Sequence, residues 1–395
     1  MRKPYLFAIL FTLSSLITHA QKYPNLAPTP PMGWNSWNFF NCGIDETKIK
    51  QMADAMSSNG MKDAGYQYIV IDDCWQISRD NDGYVIADPI KFPSGIKALA
   101  DYVHSKGLKF GIYSCGGKLT CQHRPGGAGY EAKDAQRYAE WGVDYLKYDW
   151  CNSEGMISQV QYSTMRDALH KAGRPIVFSL CEWGSTKPWT WADSVGHLWR
   201  TTGDIQDKFA QGHGVLKIFD EQSKIRTANK PNGWNDPDML EVGNKGLSYT
   251  ESKSHFTLWC MMAAPLIAGN NLAAMKADIL KVLTNKAAIA VDQDPLGIQC
   301  FLWSKTDNGV EAWVKPLSDG SLAVCLLNRN ANAEPVVDFN WKKTIKDPDT
   351  QKEYTMDDSY SISDIWNNKD LGTTAKKLTT TLNGHDVLFV ILKKK

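Results

Sequence analysis

The sequence carries almost no excess charge: 44 Lys and Arg stand against 43 Asp and Glu, for a formal net charge of +1. Without a basic block, neither nucleic acid nor an anionic membrane surface is indicated as a partner. Long apolar runs are missing too. The run at residues 5–17 falls short of the roughly 20 residues a bilayer span requires, so no membrane anchor is expected. Preceded by Arg2 and Lys3 and followed by Thr18-His19-Ala20, it has the form of a secretory signal over residues 1–20. The mature protein is therefore expected in the periplasm or outside the cell. Nine cysteines are too few for a disulfide-framework protein, and the odd count leaves at least one unpaired. No C-x-x-C pair or His-rich cluster offers zinc-site spacing, and no G-x-G-x-x-G follows the first strand pattern to suggest a dinucleotide, so no metal or cofactor is implied.

What is plentiful is aromatic, with 15 Trp and 15 Tyr. Such rings fill cores, and their faces also stack on the apolar faces of sugars. Short β-rich runs at 66–71, 109–113, 143–148, 176–180 and 197–200 alternate with amphipathic helical patterns at 46–58, 96–105, 131–140, 159–171 and 251–263, the last with Thr250 as its cap. Gly60, Gly107, Gly142 and Gly173 follow helical runs, as helix-ending glycines do. Repeated βα units imply a parallel sheet, and their number favours a closed (β/α)8 TIM barrel, assigned to residues 21–297. Beyond it, alternating runs at 301–304, 311–315, 322–328 and 387–392, punctuated by turns such as Ser318-Asp319-Gly320 and Asn383-Gly384, predict a C-terminal antiparallel β-sandwich over 298–395.

Barrel active sites lie at the C-terminal ends of the strands, so polar residues that end apolar runs are the candidates. Asp72 and Asp73, Asp149, Asp204, and Asp236 with Asp238 all hold such places. One carboxylate there is usually a turn or cap residue; several form a pattern that structure alone does not require. Period-two alternation puts Tyr145, Lys147 and Asp149 on one inward face, where the ammonium favours an ionised Asp149. Glycoside cleavage needs two carboxyl groups in opposite protonation states, and Asp204 is the second candidate, with a pKa expected to be raised so that it can donate a proton. A competing reading treats Asp72, Asp73, Asp236 and Asp238 as oxygen ligands of a divalent cation, though they lack the loop spacing of a dedicated site.

In Pro30-Pro31-Met32-Gly33-Trp34-Asn35-Ser36-Trp37, Ile71-Asp72-Asp73-Cys74-Trp75, Tyr145-Leu146-Lys147-Tyr148-Asp149, Cys181-Glu182-Trp183, Trp199-Arg200-Thr201-Thr202-Gly203-Asp204 and Gly233-Trp234-Asn235-Asp236-Pro237-Asp238-Met239, the chain resembles the α-galactosidases of glycoside hydrolase family 27, and its spelling is closer to their plant and bacterial members. The resemblance implies an exo-acting, retaining hydrolase of terminal α-galactose, with Asp149 as nucleophile and Asp204 as acid and then base. It implies that Asp72 and Asp73 hold the galactose 4- and 6-hydroxyls, that Lys147, Arg200 and Asp238 are further polar contacts, that Trp37 and Trp183 form apolar walls, and that Tyr113, Cys181 and Glu182 line the pocket. It also implies disulfides Cys42–Cys74 and Cys121–Cys151, with Cys115 standing where a non-cysteine is expected.

Two activities on the same scaffold compete. An α-N-acetylgalactosaminidase needs small residues after the cysteine matching Cys181, where this chain has Glu182; a β-L-arabinopyranosidase replaces one of the paired aspartates, and Asp72-Asp73 is intact. A sugar-binding protein without activity would lack a carboxylate, and both Asp149 and Asp204 are present.

Overall fold

A computed structural model describes residues 22–357 and 360–395. The signal expected at residues 1–20 lies outside them. Eight parallel strands form one sheet: β1 (Met32–Asn35), β2 (Tyr68–Val70), β3 (Lys109–Cys115), β4 (Tyr145–Asp149), β5 (Val177–Cys181), β6 (Leu198–Arg200), β7 (Trp234–Asp236) and β8 (Leu266–Ala268). Strands β1 to β7 pair in sequence order and β8 pairs with β1, while Leu240, just past β7, closes the ring toward β8 by donating its N–H to Ile267 O at 2.8 Å and accepting from Gly269 N.

The helices predicted from periodicity are present: Glu46–Ser58, Gly95–Ser105, Glu131–Trp141, Ser158–Ala172 and Tyr249–Met262. Gly142 and Gly173 end the third and fourth in left-handed conformation, which carries no Cβ penalty for glycine. One cap expectation is corrected. Tyr249–Met262 starts from Ser248, whose hydroxyl accepts from Glu251 N while the Glu251 carboxylate accepts from Ser248 N; Thr250 lies inside the first turn.

Alternation along the strands gives the barrel two surfaces. Ile69 and Ile71, Leu146 and Tyr148, and Phe178 and Leu180 turn outward into the main core beneath the helices. Tyr68, Val70, Tyr145, Val177, Leu198 and Trp234 turn inward and pack together as an apolar floor. Two residues further along the inward face come Lys147, Ser179, Arg200 and Asp236, so the interior changes from apolar to polar toward the strand ends. Gly33 allows β1 to approach β2, since a Cβ there would sit 2.6 Å from Tyr68 O.

The C-terminal sheet contains β9 (Phe301–Lys305), β10 (Glu311–Pro316), β11 (Leu322–Leu327), β12 (Tyr360–Asp364), β13 (Lys369–Thr373) and β14 (Val387–Lys394), in the order β9-β10-β11-β14-β12-β13, all antiparallel. Both of its faces are buried. Val314, Val324, Leu326 and Val390 face a core shared with the short strands Glu334–Phe339, Lys343–Lys346, Glu353–Met356 and Leu378–Leu382. Trp313, Cys325, Leu327, Val387 and Phe389 join the core of the barrel. Polar contacts reinforce that seam: Arg226 pairs with Asp347 and Asp349, Arg329 with Asp220, and the buried Lys315 donates to Cys260 O at 2.9 Å.

Candidate active site

The strand ends open onto a cavity of about 550 Å³. Ten of the residues proposed from sequence line it: Trp37 beyond β1, Asp72 and Asp73 beyond β2, Tyr113 on β3, Lys147 and Asp149 on β4, Trp183 beyond β5, Arg200 on β6, and Asp204 and Asp238 beyond β6 and β7. The ends of seven strands, β1 to β7, thus gather residues spread over 202 positions of sequence, from Trp37 to Asp238.

Two expected lining residues lie elsewhere. Cys181, the last residue of β5, borders a smaller void below the cavity, covered by Arg200, whose Nη1 is 3.5 Å from its Sγ. Glu182 starts a tight turn, and its Oε2 accepts from the backbone N–H and the hydroxyl of Thr186, both at 2.8 Å. The carboxylate is thereby tied to Thr186, and Glu182 does not line the cavity. Conversely, Phe39, Asn41, Asp207, Glu241, Asn244 and Lys245 line the cavity without having been singled out. Five belong to loops and Phe39 to the four-residue helix Trp37–Phe40, too short for any periodicity to mark a direction.

The deep end is fixed by hydrogen bonds. Asp72 Oδ2 accepts from Asn35 Nδ2 at 2.7 Å and from Lys147 Nζ at 2.9 Å. Asp73 accepts from Cys74 N at 2.7 Å, and from the Thr120 hydroxyl and Gln122 N at 2.9 Å each, while burial still leaves its pKa above the usual value. Arg200 Nη2 lies 2.9 Å from Asp238 Oδ2 and 3.0 Å from Asp204 Oδ1. Asp238 further accepts from Ile205 N and Met239 N, which locks it despite a backbone φ of 97° that an L-residue rarely adopts. Trp183 also has a positive φ, 57°.

Asp149 is 5% exposed and accepts from Trp150 N at 2.9 Å. Burial pushes its pKa up to about 6, against the opposing pull of the Lys147 charge. Asp204 behaves in the opposite way. Burial among its neighbours would raise its pKa, but the Arg200 and Lys147 charges prevail and hold it below the usual carboxylate range. Its side chain is nevertheless 75% exposed, so water screens that effect. The expectation that Asp204 carries the raised pKa is therefore not met in the free protein, where the raised value belongs to Asp149. The cause is position: Asp149 lies on a strand inside the barrel, and Asp204 on a loop beside a guanidinium.

Disulfides join Cys42 to Cys74 and Cys121 to Cys151. The Asp149 carboxylate lies within 4.8 Å of both sulfurs of the second. Since those sulfurs are bonded to each other, this group offers no thiolate ligands to a metal. Asp72 and Asp238, named in the cation reading, are engaged by Lys147 and Arg200 instead. Cys115 is a buried thiol, 3.1 Å from Cys151 O, and Cys181, Cys260, Cys300 and Cys325 are also free and buried.

Residues 29–294 match the family described as Alpha galactosidase A, and residues 307–392 the Alpha galactosidase C-terminal beta sandwich domain. The chain belongs to the α-galactosidases of glycoside hydrolase family 27. It is 48% identical to alpha-galactosidase A of Cellvibrio japonicus over 99% of each chain, and 44% identical to an alpha-galactosidase of Cyamopsis tetragonoloba over 93% of this chain and 87% of that one. The α-galactosidase of Saccharomyces cerevisiae solved with raffinose superposes with a TM-score of 0.84 at 30% identity, covering 93% of this chain and 98% of that one. The barrel with its C-terminal sandwich is thus the family fold, and this family member is a retaining glycoside hydrolase that releases terminal α-galactose.

Proposed function

We propose that Asp149 is the nucleophile of this α-galactosidase and Asp204 its general acid/base. The observation that carries the assignment is their contrast within one cavity: a buried carboxylate at the deep end and an exposed one on the open side. Galactose entering the deep end brings its anomeric carbon to Asp149. The carboxylate forms a bond to that carbon as the glycosidic C–O bond breaks, and Asp204 gives its proton to the departing oxygen. Water then attacks the anomeric carbon of the galactosyl ester, Asp204 takes a proton from that water, and the ester bond to Asp149 breaks; two inversions leave the α configuration retained.

Binding must also raise the proton affinity of Asp204, which the free protein holds low. A ligand that fills the cavity removes the water around Asp204, which favours its neutral form, and its hydroxyls compete for Arg200 Nη2. Asp72 and Asp73, already anchored by Asn35, Lys147 and Thr120, take the 4- and 6-hydroxyls. Lys147, Arg200 and Asp238 hold the others, and Trp37 and Trp183 face the ring. Discrimination follows because a sugar with the wrong hydroxyl leaves buried polar groups unpaired.

The test compares the nitrophenyl glycosides of α-galactose, α-N-acetylgalactosamine and β-L-arabinopyranose. Wild-type turnover of the first is expected to exceed the others, with α-galactose as the first-formed anomer by NMR. Preference for either alternative, or β-galactose as first product, would overturn the reading. Export belongs to the same proposal, supported by the basic and apolar character of residues 2–17 and by two disulfides, which persist in oxidising compartments. N-terminal sequencing of the secreted protein should start near residue 21.

A further inference from the structure

Asp204 stands on a loop with little around it. Its side chain is largely exposed, and among the described residues its carboxylate bonds only to Arg200, at 3.0 Å. A general acid must nevertheless meet the glycosidic oxygen within hydrogen-bond reach. With a single side-chain contact, its aim depends on the main chain that carries it.

That main chain is gripped at one peptide unit. The carbonyl of Asp204 accepts from His213 Nδ1 at 2.9 Å, and the N–H of Ile205, the other end of the same peptide, donates to Asp238 Oδ2 at 2.8 Å. Asp238 is itself fixed by Arg200 and by Met239 N. A peptide unit is planar, so holding its oxygen and its nitrogen fixes the plane from which the Asp204 Cα projects its side chain.

His213 is seated to do this. It closes the loop that Asp204 opens: Gln206 N donates to His213 O at 2.9 Å, and the helix Val215–Gln222 follows, with Val215, Ile218 and Phe219 in the barrel core. The imidazole lies against Gly203, where a Cβ would sit 3.2 Å from Cε1, and its far edge turns Nε2 to Glu221 Oε2 of that helix at 3.4 Å. A carbonyl only accepts, so Nδ1 carries the proton. The ring thus spans from a core-anchored helix to the peptide behind the acid.

We infer that His213 is a positioning residue for the general acid: through Asp204 O it holds the Asp204–Ile205 peptide, opposite Asp238, so that the carboxyl meets the departing oxygen. The inference rests on the assignment of Asp204 as general acid/base. A misaimed carboxyl is still present but delivers its proton poorly, so the loss scales with the leaving group's need for a proton.

The experiment measures kcat/KM, which reports formation of the galactosyl-enzyme, on phenyl and dinitrophenyl α-galactosides for the wild type, His213→Ala, His213→Asn, His213→Gln and Asp204→Ala. Asn places an N–H where Nδ1 stands and Gln where Nε2 stands. Both are uncharged, so a difference between them reads the hydrogen bond to Asp204 O and not the charge of the ring. His213→Ala and His213→Gln are expected to lose about tenfold on the phenyl galactoside and about twofold or less on the dinitrophenyl one, a part of the roughly 10²- to 10⁴-fold that a general acid contributes. His213→Asn should stay within about threefold of the wild type on both. The contrast between Asn and Gln holds even where Ala disturbs the loop. Asn and Gln equally impaired, equal losses on both substrates, or no loss in Ala and Gln overturn the positioning role while leaving the galactosidase assignment in place. Equal losses on both substrates in Asp204→Ala would instead remove the acid assignment, and the inference with it.

Discussion

Lys147 reaches across the barrel mouth to Asp72, with 2.9 Å between Nζ and Oδ2, instead of bonding to Asp149 two residues along its own strand. Asp149 thus receives the charge of Lys147 through space but no hydrogen bond from it. Among the described residues its carboxylate accepts from Trp150 N alone.

A pH dependence follows. The nucleophile must be ionised, and its pKa is raised to about 6, so kcat/KM is expected to decline as pH falls through that value. Lys147→Met removes the charge that favours the carboxylate and should move this acid limb to higher pH. A profile that stays flat down to the ordinary aspartate range would contradict the shift.

The two carboxylates should separate in chemical rescue. Asp149→Gly is expected to lose turnover by orders of magnitude and, given azide and an activated galactoside, to yield β-galactosyl azide, because the anion enters from the vacated face. Asp204→Ala should lose about 10²- to 10⁴-fold on raffinose and less on substrates with good leaving groups, and azide should give the α product. NMR of the azides distinguishes the cases; the same anomer from both would refute the assignment.

Removing Asp72 strands a largely buried ammonium. Asp72→Ala should cost about 3 kcal/mol in urea unfolding, as for loss of one partner of a buried ion pair. The double variant with Lys147→Met should recover part of that loss. Additive costs would show that the pair is not coupled.

Cys121–Cys151 spans 30 positions, and loop-closure entropy assigns such a link about 3–4 kcal/mol. The Cys121→Ser, Cys151→Ser double variant should therefore unfold at lower temperature. It should also lose kcat before it unfolds, since Cys151 is two residues past Asp149 and Gly117 packs against the Cys151 carbonyl so closely that a Cβ would sit 1.9 Å away. Retained kcat in the folded, unlinked protein would reduce the bond to a stability element.

Much of this was legible because barrel strands alternate. The outward Leu146 and Tyr148 against the inward Lys147 and Asp149 announce both core and site in five residues. Strands β1, β7 and β8 were not foreseen: they have three or four residues, buried on both faces, too few for a period. The partner of Lys147 depends on how β4 sits relative to β2, with β3 between them, and no local pattern encodes that. Glu182 was misplaced for another reason. Its neighbours marked a strand end correctly, but the turn to Thr186 supplies two donors to its Oε2, and no local pattern announces that turn. The Ser248 cap was missed in favour of Thr250, although its spacing to Glu251 spells a capping box.

The strand Val387–Lys394 runs between Leu322–Leu327 and Tyr360–Asp364 and lends Val387 and Phe389 to the barrel core. A nascent chain that has already made every catalytic carboxylate still has an unfinished sheet and a bare patch on the barrel wall until this strand emerges. Completion of the sandwich is thus a late checkpoint in biogenesis: polypeptides interrupted before Val387 would display apolar surface to chaperones and proteases although no residue of the sugar cavity is missing.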